Sequence, residues 1–230
     1  AARGERFDGA VVGEPTCRER LGDTIKIGRR GTLSGRVTVR GVQGHAAYPE
    51  RARNPIPALL AIGRALGDVP YDAGTAAFQP TNLEITSIDV GNTAVNVIPA
   101  QAELVFNVRY NDTWTREAIE ALVRRRVAVA APDADVSLET FRASEVFLTD
   151  SPGLVEPLAE AVEAVTGVVP ERTTGGGTSD ARFIKDHCPV VEFGLVGDTM
   201  HQVDERVPAE DLERVAEVYR RFVARYLAGA

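Results

Sequence analysis

Two of the three histidines in this 230-residue sequence stand where a side chain can do chemistry. His45 lies in Gly41-Val42-Gln43-Gly44-His45-Ala46-Ala47-Tyr48-Pro49, between an alternating stretch and a stretch with helical spacing. Two glycines before it let the backbone leave a strand in conformations closed to other residues, and Pro49 stiffens the exit. The imidazole is then held on a loop over a rigid scaffold, ready for acid–base or hydrogen-bonding work. The alternative is a turn histidine with a satisfied hydrogen bond. His201 lies in Gly197-Asp198-Thr199-Met200-His201-Gln202-Val203-Asp204-Glu205-Arg206-Val207, beside three carboxylates. That setting suits a metal ligand or an acid–base group at the edge of a sheet. The alternative is the acidic start of a helix carrying a solvated histidine. His187, between Asp186 and Cys188, reads as a surface residue.

Other residues join these by type and place. Glu14 follows the apolar run Ala10-Val11-Val12, and a carboxylate just past a buried strand is held rigidly at a cleft as a ligand or acid. Thr173 to Asp180 reads TTGGGTSD. Consecutive glycines before a helix expose N–H groups that hold a carboxylate or phosphate, although a tight turn with Thr178 or Ser179 as N-cap also accounts for the pattern. It is neither a Walker loop nor a dinucleotide fingerprint. Arg29, Arg30 and Arg109 fall at predicted strand ends, where guanidinium groups clamp carboxylates in bidentate fashion; each is otherwise a surface ion pair worth under roughly 1 kcal/mol.

The elements that must position these groups follow from periodicity. Leu33, Gly35, Val37 and Val39 alternate with Ser34, Arg36, Thr38 and Arg40, which predicts a half-buried strand. A helix follows, with Asn54 as N-cap and Pro55 at N1, bearing Ile56, Leu59, Leu60, Ile62 and Leu66. Residues 82–88 and 102–109 alternate again, a second helix carries Ile119, Leu122, Val123 and Val127, and Val136, Leu138 and Thr140 predict a last strand. The order β-α-β-β-α-β over residues 31–142 is the split βαβ plan, an antiparallel sheet with two helices on one face. One sheet edge and one face stay uncovered, which favours self-association. From Ser151 onward helix and strand alternate as at the end of a doubly wound α/β sheet, with residues 1–30 supplying further strands. The middle is then an insertion: residues 1–30 and 143–230 form a partial α/β domain and residues 31–142 a second domain.

Composition narrows the partners. With 44% hydrophobic and 26% charged residues, a net charge of −7 and a pI near 5.1, the chain has no polyanion-binding character, so a small-molecule partner is expected rather than nucleic acid. No run is long enough to span a membrane and no signal-peptide core is seen, so the expected location is cytoplasmic. Cys17 and Cys188 are expected as free thiols. The sole methionine is Met200, and the start at Ala1 reads as a cut from something longer.

Taken together, VGEPT at 12–16, IGRRG at 27–31, GVQGHAAYP at 41–49, NVIPA at 96–100, GGTSDARF at 176–183 and MHQVDERV at 200–207 resemble the dinuclear zinc aminoacylase and carboxypeptidase family. The resemblance implies an α/β zinc-hydrolase domain interrupted by a ferredoxin-like dimerisation domain, and a homodimer formed through residues 31–142. It implies that Glu14 ligates one zinc and His201 the other, and that His45 reaches the partner subunit's active site to stabilise the oxyanion of a tetrahedral intermediate. Arg29 or Arg30, Tyr48, Asn96, Arg109, Ser144, Gly177 and Thr178 match positions around the substrate. The implied reaction is hydrolysis of N-succinyl-LL-2,6-diaminopimelate, a small polycarboxylate amide, with zinc activating the water. The family's His-x-Asp motif, bridging aspartate and Glu-Glu pair do not occur in this sequence, so these residues alone are expected to bind zinc poorly and to be inactive. An acetylornithine deacetylase, another aminoacylase of the family, and a non-catalytic dimerisation module remain open.

Overall fold

The computed structural model describes residue 4 and residues 6–229. Short β-branched and apolar runs open the chain as strands β1 (Ala10–Val12), β2 (Thr24–Lys26) and β3 (Gly28–Arg29). The next piece folds by itself: β4 (Gly31–Arg40), β5 (Gly44–His45), α1 (Ile56–Gly67), β6 (Asn82–Asp89), β7 (Val97–Ile98), β8 (Gln101–Tyr110), α2 (Arg116–Ala130) and β9 (Asp135–Ser144). The chain then returns as β10 (Phe147–Leu148), α3 (Pro152–Thr166), β11 (Glu171–Thr173), α4 (Ala181–Ile184), β12 (Val190–Glu192) and α5 (Ala209–Ala228). Two compact units result, one from Arg30–Val146 and the other from the described residues on either side of it.

In the middle unit the sheet order is β6-β8-β4-β9, antiparallel throughout. Every second residue of β8, from Ala102 to Tyr110, is buried, because that face meets the helices. Leu33, Val37, Leu104, Phe106 and Val108 of the sheet pack with Leu59, Ile62, Leu66, Ile119 and Val123 of the helices. Each such fully buried side chain contributes about 1.5–3 kcal/mol. Gly35 lies across from Phe106, where a Cβ would be 2.3 Å from the ring, so only glycine admits that aromatic to the core. Helix α1 lies against β6, β8 and β4, and α2 against β4 and β9.

Two local expectations change in this unit, and one helix cap is added. Pro55, not Asn54, is the N-cap of α1; Asn54 still accepts the Ile56 N–H on Oδ1 at 3.0 Å, one residue outside the helix. Thr115 caps α2 by accepting the Ala118 N–H. The last strand runs past residue 142 to Ser144 through a bulge: Phe141 pairs with Ser34 and Ala143 with Leu33, leaving Arg142 unpaired at φ 48°.

The other unit has a mixed four-stranded sheet in the order β1-β12-β2-β11. β1 runs parallel to β12 and β2 parallel to β11, while β12 and β2 are antiparallel. Ile25, Val191 and Phe193 pack on one face against Leu154, Leu158 and Val162 of α3 and Val218 and Phe222 of α5. Strand β1 is half-buried rather than buried, since it pairs on one side only among the described residues. Gly167 ends α3 in the left-handed conformation at φ 72°, a position glycine takes without strain. Cys17 and Cys188 are free and buried. Among the described residues no helix is long and apolar enough to cross a membrane.

Candidate functional site

His45 is carried on a small ribbon outside the main sheet of the middle unit, where β5 pairs with β7 and His45 faces Val97. Gly41 and Gly44 serve this ribbon by close approach rather than by unusual φ: a Cβ on Gly41 would lie 2.1 Å from the Arg53 carbonyl oxygen, and one on Gly44 2.7 Å from the Ala52 Cβ. The His45 Nδ1 accepts the Ala47 N–H at 3.0 Å, which leaves the proton of a neutral ring on Nε2, pointing away from that bond. The Tyr48 ring lies 5.7 Å from the imidazole, with the Arg51 guanidinium over its other surroundings at 5.1 Å. The Asn96 carbonyl accepts the Ala46 N–H at 2.9 Å. His45 and Tyr48, three residues apart, and Asn96, beyond α1 and β6 in sequence, thus come together at one exposed ribbon.

A second group lies at one end of the main sheet of this unit. Asn82, Arg109, Thr32 and Ser144 stand in one row across β6, β8, β4 and β9. The helices cover the opposite face, so this row is polar. Asn107 donates to Thr32 Oγ1 at 3.1 Å, and Arg30 donates through Nη1 to Asn82 Oδ1 at 2.9 Å. Burial lowers the affinity of both Arg30 and Arg109 for their protons, and the Arg109 charge lowers that of Arg30 further. Arg30 Nε is buried without a hydrogen-bond partner, and neither guanidinium has an ion-pair carboxylate among the described residues. Two half-buried guanidinium groups without an ion-pair carboxylate among the described residues can attract an anion.

Arg29 differs from its neighbour. It belongs to the other unit, is buried, and is neither a free clamp nor a surface pair. Its Nε donates to Glu192 Oε2 at 2.8 Å, its Nη2 bonds the same oxygen, and its Nη1 donates to the Gly177 carbonyl at 2.6 Å. Ser179 donates to the other Glu192 oxygen. Lys26 stands directly across from Glu192, where burial and the Arg29 charge depress its pKa. Asp180, rather than Thr178 or Ser179, is the N-cap of the short α4 and makes no side-chain cap bond, while the Ser179 hydroxyl donates to Glu192 and accepts the Ala181 N–H at 3.3 Å. Glu192 and Lys26 escaped the reading of the sequence, and Ser179 was read only as an N-cap; the signal was a glutamate at the end of the apolar run Val190-Val191.

Glu14 follows β1 and is half-buried, its carbonyl so close to Gly194 that a Cβ there would sit 2.4 Å from it. His201 is exposed on the turn after β12, at φ 64°. Thr199 closes that loop: its hydroxyl donates to the Arg206 carbonyl at 2.9 Å and accepts the Arg206 N–H at 3.0 Å. Among the described residues no group of three or more His, Cys, Asp or Glu side chains is placed to hold a metal ion. Glu14 and His201 are fewer donors than a zinc ion takes from a protein, so these residues by themselves do not make the centre that the resemblance implies.

Residues 27–135 match the peptidase dimerisation domain of the M20 type. Beyond it, 228 residues are 56% identical to succinyl-diaminopimelate desuccinylase of Methylorubrum extorquens strain PA1, an alignment covering 98% of this chain and 59% of that protein. The desuccinylase of Methylorubrum populi is 55% identical over 230 residues. The chain spans about three-fifths of the length of these curated relatives. A tripeptidase from Staphylococcus aureus superposes with a TM-score of 0.78 at 19% identity, covering 96% of this chain and 58% of that one, which establishes the shared fold. The chain accordingly has the fold of an α/β domain interrupted by a ferredoxin-like domain, and its sequence is similar to that of the desuccinylases.

Proposed function

We propose that this chain is the substrate-holding and dimerising part of an amide hydrolase that removes succinate from N-succinyl-LL-2,6-diaminopimelate. The observation that carries the reading is the pair Arg30 and Arg109, cationic, half-buried and without carboxylate partners, in a chain 56% identical to proteins named for that reaction. The substrate carries several carboxylates, and a bidentate guanidinium suits each. In this reading Arg30 and Arg109 bind carboxylate, with Ser144 beside them in the row, and Gly177 and Thr178 also bind substrate. His45, from the partner subunit, donates its Nε2 proton to the oxygen that gains charge as the amide carbon becomes tetrahedral, with Tyr48 and Asn96 beside it. Glu14 and His201 each ligate one zinc of a centre completed by residues this chain does not contain, so these residues alone are inactive. A cytoplasmic location belongs to the same reading.

The homodimer is proposed to form through the β6 edge and α1. Strand β6 pairs on one side only, so its other side offers free N–H and C=O groups. Helix α1, Ile-Pro-Ala-Leu-Leu-Ala-Ile-Gly-Arg-Ala-Leu-Gly, carries a single charge, and its outward residues include Leu60, which is 51% exposed. A helix apolar on all sides is buried in its working state. Helix α2, by contrast, presents arginines and glutamates to solvent.

The complete protein, assayed with added zinc, is expected to cleave N-succinyl-LL-2,6-diaminopimelate with a far higher kcat/KM than N-acetylornithine; the reverse order would overturn the assignment in favour of a deacetylase. The match of residues 27–135 to a peptidase dimerisation domain suits one second reading, a dimerisation module without catalysis. Inactivity of the complete protein toward both amides, with zinc bound, would select it.

A further inference from the structure

The glycine-rich turn between β11 and α4 is held from beneath and open above. Gly176 has φ 101°, and a Cβ there would lie 3.1 Å from Arg29 Nη1 and 3.5 Å from Lys26 Nζ. On Gly175 and Gly177 a Cβ would meet nothing within 4 Å. The contact beneath the turn is made by one carboxylate. Glu192 is 1% exposed, takes two guanidinium N–H groups on Oε2 and the Ser179 hydroxyl on Oε1, and so ties both the Arg29 end and the Ser179 end of the turn to strand β12. Arg29 completes the loop by donating to the Gly177 carbonyl.

Such an arrangement is costly where an apolar residue would pack equally well, because a buried ion pair must recover the desolvation of both charges. What the pair supplies and an apolar contact does not is direction: the planar guanidinium accepts Glu192 on one edge and aims Nη1 at a single carbonyl on the other. Three glycines in succession otherwise leave this stretch with the widest choice of backbone conformations in the chain.

We propose that Glu192 and Ser179 are positioning residues, which act through Arg29 to hold the Gly175–Gly177 turn in the conformation that presents Gly177 and Thr178 to the substrate. This rests on the reading that Gly177 and Thr178 face the substrate. Arg29 in this role is a strut of the site, while Arg30 and Arg109 are left to bind carboxylate.

Hydrogen exchange and kinetics on Glu192→Gln and Ser179→Ala in the complete protein test it. The amides of residues 175–179 are expected to exchange roughly 10-fold faster in either variant, the loss of one to two net hydrogen bonds, while those of α3 and β8 are unchanged. KM for the succinyl amide is expected to rise about 10-fold with kcat changed much less, since substrate binding and not the chemical step depends on the turn. Ser179→Thr keeps the hydroxyl and restores both values. Unchanged exchange in the turn would overturn the proposal, as would faster exchange with unchanged KM in a protein that still cleaves the amide. Should Glu192→Gln fail to fold, Ser179→Ala, which removes a single bond to the carboxylate, decides by the same readouts. Should the unsubstituted protein cleave no succinyl amide, the proposed function falls, and the exchange measurement alone supports or overturns the strut.

Discussion

Ser144 lies directly across the strand pair from Thr32, in the polar row that contains Arg109, because Arg142 is left out of the pairing two residues earlier. Were Arg142 instead paired in regular alternation, Ala143 would stand opposite Thr32 and Arg142 would turn toward the core face shared by Leu33. The bulge therefore settles which face the end of β9 presents.

Arg142 holds φ 48°, a left-handed conformation that costs a non-glycine residue about 1 kcal/mol. Arg142→Gly is expected to leave stability unchanged or raise it by up to about 1 kcal/mol. Deleting Arg142 removes the extra residue and leaves Ala143 opposite Leu33 and Ser144 opposite Thr32, so no later residue of β9 changes face and stability is expected to change by no more than about 1 kcal/mol. Urea denaturation of the two variants checks this, and a loss of several kcal/mol on deletion would contradict it.

Arg30 and Arg109 repel one another when no ligand lies between them. In the complete protein Arg109→Gln is expected to raise KM for the succinyl substrate by roughly 10- to 100-fold, the worth of a charge-assisted hydrogen bond, with folding stability lowered by less than about 1 kcal/mol. Steady-state kinetics and a thermal melt, run on the same preparation, separate the two effects.

Arg29→Ala has the opposite profile. It strands the buried Glu192 carboxylate, and removing one partner of a buried pair costs about 3–5 kcal/mol. A calorimetric melt of the chain should show a clear fall, and a neutral result would mean that the pair is solvated.

Asp72 binds together the loop before β6 and the start of α2. It accepts from the N–H groups of Gly74 and Thr81 and from Asn111 on one oxygen, and from Trp114 Nε1 at 2.8 Å on the other. Burial by itself would raise its pKa, but these bonds outweigh it and hold the value at about 2, against 3.8 for a free aspartate. The folded-state pKa is depressed, so the stabilisation is fully present above pH 3.8 and is lost as the pH falls toward 2. Trp114 is the only tryptophan, so its fluorescence should report the loosening in that window. Asp72→Ala, which leaves these donors unpaired, is expected to cost about 3 kcal/mol at neutral pH and to flatten the acid transition.

Charge placed on the proposed dimer face should break the dimer. Leu60→Glu with Ile88→Lys is expected to shift the sedimentation mass from dimer to monomer while the circular dichroism is unchanged, as both side chains are more than half exposed in the single chain. A dimer that survives both changes would move the interface elsewhere on the middle unit.

The sequence by itself determined the local elements and the domain insertion. Alternation in 33–40 and 102–110, helical spacing in 56–66 and 119–127, and proline and glycine at helix ends all act over a few residues, where backbone sterics and the burial of one face leave little choice. The sequence also named His45, Arg109, Glu14 and His201 as candidates, the histidines from their loops, Glu14 from its place after an apolar run and Arg109 from its place at a strand end. Only the tertiary structure decided that Arg29 and Arg30, adjacent in sequence, have different surroundings. Arg29 meets a carboxylate 163 residues away and Arg30 meets none, and such a pairing follows from how β3 and β12 are brought together, not from the residues beside either one. The same holds for the bulge at Arg142: its position is settled by how β9 fits against β4 with Leu33 in the core, an energy that exists only once the two strands lie side by side.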